Sequence, residues 1–165
     1  MNAIRRFARV AVFLAAALVP ATLLHADLKT DDKGFVTLQP GEEVWGDYPG
    51  VPGIGIMVVY GKPSEPGAYV IRVRFQPGTM SMPHYHPEDR LATVIKGTWW
   101  TGTGENFDPN ATQPVRAGGY MMHPAKEPHF DGAKDEEVIL QLAGVGPSGT
   151  HFIRPELGRT GSSMK

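Results

Sequence analysis

The stretch Met80-Ser81-Met82-Pro83-His84-Tyr85-His86 places two histidines one residue apart. In an extended chain every second side chain points to the same face, so Met80, Met82, His84 and His86 are expected to line one surface. Alternate side chains on a strand stand about 6.6 Å apart at the backbone, and two imidazoles so placed can converge on one ion over metal–nitrogen bonds of about 2.1 Å. The methionines would then form an apolar wall beside the pair. Two histidines at this spacing also occur as surface pairs or as hydrogen-bonded residues at a barrel mouth, so the surrounding residues must decide.

Three more histidines lie downstream, at His123, His129 and His151. His123, beside Pro124, could reach a pocket as a proton carrier, because an imidazole titrates near neutral pH; the alternative is a structural or rim position. His151 falls in a terminal Thr150–Arg154 strand and reads as a surface or interface residue. Taken alone, Glu88, Asp89 and Arg90 read as a solvated charged turn. The chain has no cysteine, which excludes disulfides, thiolate metal sites and cysteine nucleophiles and leaves any metal to His, Asp or Glu. No phosphate-binding loop or nucleophile elbow is present.

The elements that must carry these side chains are strands. Val36–Leu38, Ile54–Tyr60, Tyr69–Phe75, Leu91–Thr101, Val115–His123 and Val138–Leu142 are rich in β-branched and aromatic residues and separated by Gly and Pro. In the third, Tyr69, Ile71, Val73 and Phe75 share one face, whereas Arg72 and Arg74 share the other and read as solvated or as a carboxylate clamp. Trp99 and Trp100 point oppositely, one into the core and one outward. Met121 and His123 likewise share a face. No helical periodicity lasts three turns beyond the first 26 residues, and proline interrupts most candidates. Residues 27–50 and 155–165 lack strong patterning and read as arms that wrap the sheet, meet a partner or stay mobile.

The spacing around the histidine pair resembles that of the cupin superfamily. Gly78, His84, His86 and Gly97 fall on the first cupin motif, G-x5-H-x-H-x3-E-x6-G, with Arg90 at the glutamate. Gly118, Pro124 and His129 fall on the second, G-x5-P-x-G-x2-H-x3-N, with Lys126 at the second glycine and Ala133 at the asparagine. The resemblance implies an all-β fold, the double-stranded β-helix or jelly-roll barrel with little helix, whose core spans about residues 51–153. It also implies a divalent metal in the barrel mouth, held by His84, His86 and His129, and a homodimer that covers open sheet edges.

Arg90 is the departure that governs the chemistry, since a guanidinium has no lone pair to give and repels a divalent cation. Three readings stay open. Three imidazoles hold the metal and Arg90 turns aside or pairs with an anionic substrate, as in three-His cupin dioxygenases. A bulge near Pro87 swings Glu88, or the shorter Asp89, inward as a replacement ligand. Or the metal is lost and Arg90 occupies its place in a ligand-binding module.

The 165 residues, 41% hydrophobic and 20% charged, suffice for one core, so a single domain is expected over residues 27–165. Residues 1–26 read as a signal peptide: Arg5, Arg6 and Arg9 precede an apolar run from Val10 to Val19, with cleavage after Ala26 or Ala21. An uncleaved anchor extending through Leu24 is the alternative. Loss of three arginines and no acid takes 16 basic and 17 acidic residues to 13 and 17, a net charge of −4. That balance gives no support to nucleic-acid binding. The sequence therefore predicts a periplasmic or secreted protein with no membrane anchor after cleavage. It would carry iron, manganese, nickel or zinc at His84, His86, His129 and in one reading Glu88, with Arg90 and His123 serving a small-molecule substrate. Met80, Met82 and Met121 would provide the apolar wall, and the rival is a non-catalytic sensor or small-ligand-binding module.

Overall fold

The computed structural model describes residues 28–163, so the expected signal segment and its cleavage sites lie outside the described residues. The strands run in the order β1 (Lys29–Thr30), β2 (Val36–Thr37), β3 (Gly46–Asp47), β4 (Ile54–Tyr60), β5 (Gly67–Phe75), β6 (Thr79–Ser81), β7 (His84–Tyr85) and β8 (Arg90–Lys96). They continue with β9 (Thr98–Thr103), β10 (Gln113–Arg116), β11 (Tyr120–His123), β12 (His129–Gly132), β13 (Val138–Gly146), β14 (His151–Phe152) and β15 (Thr160–Ser162). Two single-turn 3-10 segments, Pro109–Ala111 and Pro155–Leu157, are the only helical elements among the described residues. No helix among them is long and apolar enough to cross a membrane.

Every pairing is antiparallel, and two large sheets face each other. One has the order β11-β8-β13-β5-β4-β3; the other has β10-β9-β12-β6-β15, with β7 bridging β12 and β14. This is the expected jelly-roll arrangement. The alternation read for Tyr69–Phe75 is present, with Tyr69, Ile71, Val73 and Phe75 buried and the residues between them half-buried. With Ile54, Ile56, Val58, Val94, Leu140 and Leu142 these side chains fill the space between the sheets, and Trp99 closes it from the opposite layer. Trp100 lies outside, under the ammonium of Lys134, which stands 3.8 Å from its ring centre.

Two expected strands are each divided. Leu91–Thr101 breaks at Gly97, whose φ of 76° permits a tight turn and whose hydrogen faces the Glu137 carbonyl where a Cβ would lie 2.4 Å away. Val115–His123 breaks at Gly118-Gly119, so that β10 joins β9 in one sheet and β11 joins β8 in the other. Segments toward both ends of the described residues pack on the sheets. Glu43 pairs with Arg72 and Trp45 lies beneath the Arg74 guanidinium, so these arginines of β5 are covered rather than solvated. At the other end β15 extends the sheet through β6.

Candidate metal centre

His84 in β7 and His129 in β12 are direct partners across an antiparallel pair, and this register joins the two motif segments. His86 follows just beyond β7, its carbonyl accepting from the Lys126 amide at 2.7 Å. The Asp89 carboxylate accepts from the Ala125 amide at 2.7 Å, a second tie between the histidine-pair loop and the turn before His129. Lys126 itself adopts φ 66°, the left-handed conformation that the motif's glycine serves, with a lysine side chain in its place.

One ring nitrogen from each of His84, His86 and His129 lies within 4.8 Å of the other two, and all three residues are buried. Their orientation is fixed by the backbone. Nδ1 of His84 meets the Met82 carbonyl at 2.9 Å, Nδ1 of His86 the Gly149 carbonyl at 2.7 Å, and Nδ1 of His129 the Glu127 carbonyl at 2.9 Å. A carbonyl can only accept, so each Nδ1 carries the proton and each Nε2 keeps its lone pair. The Nε2 of His129 is buried with no hydrogen-bond partner. Three oriented donors and an orphaned buried lone pair fit a metal ion; Nε2 of each of the three histidines would hold it.

Burial disfavours the charged form of these imidazoles. It holds His84 down at about 4, helped by the charge of neighbouring His129, and it lowers His129. His86 is lowered by burial first and by the Arg90 charge second. Neutral imidazole is the form that binds metal.

Arg90, at the motif's glutamate position, is buried and lines the pocket between the sheets. Its Nε donates to Glu88 Oε1 at 3.2 Å and its Nη2 to the Ser148 hydroxyl; the Tyr69 hydroxyl donates to the same Glu88 oxygen at 2.7 Å. Glu88 is therefore engaged by Arg90 and Tyr69 and is not one of the three clustered ligand residues, nor is Asp89. Arg90 is turned to Glu88 and Ser148, and the imidazoles of His84, His86 and His129 stay clustered.

His123, opposite Arg90 in the β8–β11 pair, is buried with its ring centre 3.7 Å from that of His129 and 5.2 Å from that of Trp99. Burial pushes it down to about 3, with the His129 charge adding to the effect. The charged form of the ring is thus disfavoured beside the cluster. His151 is exposed and stacks on Tyr85, with 13° between planes.

The apolar wall also differs from expectation. Val51, Ile54, Val73, Phe75, Leu140 and Leu142 line the pocket, and Met80, Met82 and Met121 do not. The pleat is interrupted at Met82-Pro83 between β6 and β7, so parity does not carry from Met80 to His84. Ser81 takes the inward position, Met80 is wholly buried elsewhere, and Met82 borders a separate groove with Phe107. Met121 lines a cleft on the far side of His123 and His129.

Asp131 was not singled out from the sequence, yet it is buried and lines the pocket. It lies two residues beyond His129 on the same strand, so the period-2 rule that joins His84 to His86 would have found it. Its carboxylate accepts from the Ser81 hydroxyl. Burial alone would raise its pKa; His84, His123, His129 and the Ser81 hydroxyl outweigh that and hold it below the ordinary value.

Residues 63–163 match the family model described as Cupin. No curated protein sequence matches the chain. Among solved structures, KdgF from Halomonas sp. aligns with a TM-score of 0.51 and 19% identity over 66% of this chain and 91% of that one. The DMSP lyase DddQ from Ruegeria pomeroyi DSS-3 aligns with a TM-score of 0.57 and 15% identity over 68% and 62%. The polyketide cyclase RemF from Streptomyces resistomycificus aligns with a TM-score of 0.53 and 15% identity over 64% and 74%. At these identities the likeness is one of fold.

Proposed function

The chain belongs to the cupin family, and from that premise we propose that it is an exported, metal-dependent enzyme acting on a small oxygenated organic molecule with an anionic end. The observation that carries this reading is the set of three buried imidazoles, each with its Nδ1 tied to a backbone carbonyl and one ring nitrogen of each within 4.8 Å of the other two. When bound, an iron, manganese, nickel or zinc ion supplies a Lewis acid with open coordination positions, and iron adds dioxygen chemistry of the three-His dioxygenase type.

The chain's own residues set what can react. Arg90 presents a fixed positive charge at the pocket wall, held in orientation by Glu88 and Ser148, and receives the anionic group of the substrate. The aliphatic lining from β4, β5 and β13 excludes water and favours an apolar substrate body. Neutral His123 packs behind His129 and preserves its direction. The lyase and cyclase among the structural neighbours share the architecture, so the reaction class rests on the site and not on those proteins. The proposal extends to secretion of the chain after removal of residues 1–26 and to a homodimer.

Purification without an affinity tag, followed by metal analysis and oxygen uptake over diketones, thiols and phenolic acids, tests this function. Stoichiometric metal with turnover supports it. Absence of metal, together with ligand binding that survives a chelator, identifies a non-catalytic binding module instead.

A further inference from the structure

Asp131 is a buried carboxylate with no ion-pair partner among the described residues. It is 7% exposed, yet none of the ion pairs among the described residues includes it, so no guanidinium, ammonium or imidazole nitrogen of those residues lies within 4.0 Å. Its one side-chain partner is the Ser81 hydroxyl, a neutral donor. An ionised carboxylate taken out of water without a counter-charge is costly enough that proteins ordinarily pair it, bind a metal with it, or leave it protonated. Arg90 is not that partner, because its Nε is committed to Glu88 and its Nη2 to Ser148.

The cluster of His84, His86 and His129, beside the same pocket, offers a place for a positive charge. Asp131 shares a strand face with His129 and lines the pocket with His84 and His86. Three neutral imidazoles contribute no negative charge to a divalent ion, and the motif position that would supply one is Arg90. Arg90 is paired with Glu88, which leaves Asp131 as the pocket carboxylate without an ion-pair partner.

We propose that Asp131 is the charge partner of the metal centre: an outer carboxylate, held by Ser81 and not coordinated, that strengthens divalent-cation binding and restores the negative charge lost where Arg90 replaces glutamate. Asp131 is thus a positioning residue. This inference rests on the metal-binding reading of the three histidines, and the two fail separately. If the wild-type protein takes up no Zn2+ in calorimetric titration, both fall; if the wild type binds and the Asp131 variant binds equally well, only this one falls.

The test is Zn2+ titration of the full mature chain as wild type, Asp131→Asn and Asp131→Glu, with melting temperatures measured with and without Zn2+. The expected result is a 10–100-fold weaker Kd for Asp131→Asn, the range found for outer partners of metal ligands, and recovery of most of that loss in Asp131→Glu. Without metal, Asp131→Asn keeps the Ser81 contact and folds, and the rise in melting temperature on adding Zn2+ shrinks. A carboxylate that serves only the fold would leave both the Zn2+ affinity, within twofold, and the rise in melting temperature on adding Zn2+ as in wild type, and that result overturns the proposal. Should Asp131→Asn fail to fold, Asp131→Glu against Asp131→Gln makes the same comparison of charge at one side-chain length.

Discussion

The rings of His84 and His129 face each other across the β7–β12 pair with their centres 4.4 Å apart, though 45 positions separate them in the sequence. Antiparallel pairing therefore does for these two motif segments what alternation along one strand does for His84 and His86. The metal centre is a product of sheet register, and a slip of one residue in β12 would turn His129 and Asp131 away from the pocket together.

His123 is packed against His129 but stands outside the three-residue cluster, and a substitution separates packing from ligation. His123→Phe is expected to keep Zn2+ affinity within about threefold, whereas His129→Phe loses it by a hundredfold or more. Equal losses in the two variants would place His123 among the ligands.

Acid should destabilise the metal-free protein. His84 and His123 sit at about 4 and about 3, against an ordinary value of 6.5, so between those limits the unfolded chain binds protons that the folded chain refuses. The stability they contribute is complete above pH 6.5 and is lost as pH falls, by up to about 1.4 kcal/mol per pH unit for each group. Urea midpoints of the chelator-treated protein should be flat from pH 7 to 8 and fall steeply from pH 6 to 4. A midpoint that held constant to pH 4.5 would show that the imidazoles are solvated.

Arg90 and Glu88 form a largely buried pair, and truncating one partner strands the other. Arg90→Gln is expected to cost about 2–4 kcal/mol in denaturant unfolding, and the double variant Arg90→Gln with Glu88→Gln to recover more than half of that. Additive losses would mean that the two charges are not coupled.

Lys126 pays for a left-handed conformation that glycine adopts freely. Lys126→Gly should raise stability by up to about 1 kcal/mol, read from the melting temperature, and Lys126→Val should lower it. A stabilising Val substitution would contradict the assigned backbone.

The period-2 rule found the buried face of β5, whereas β4, buried along most of its length, was legible from its β-branched content and Gly/Pro punctuation. The rule misjudged the methionines because Pro83 breaks the pleat between Met80 and His84, and no local pattern reports a change of parity across such a break. The divisions at Gly97 and at Gly118-Gly119 were marked by glycine, but the transfer of the chain from one sheet to the other depends on which strands pair, a long-range property. His84, His86 and His129 were legible through motif spacing. Asp131 was legible through its offset from His129 and was passed over because no motif pointed to it.

The central claim is that three imidazoles bind one ion, and equilibrium dialysis against Zn2+ measures it most directly. The account predicts one tightly held ion per wild-type chain and none in His84→Ala, His86→Ala or His129→Ala, each still folded by circular dichroism. Undiminished uptake by any of the three variants would contradict it.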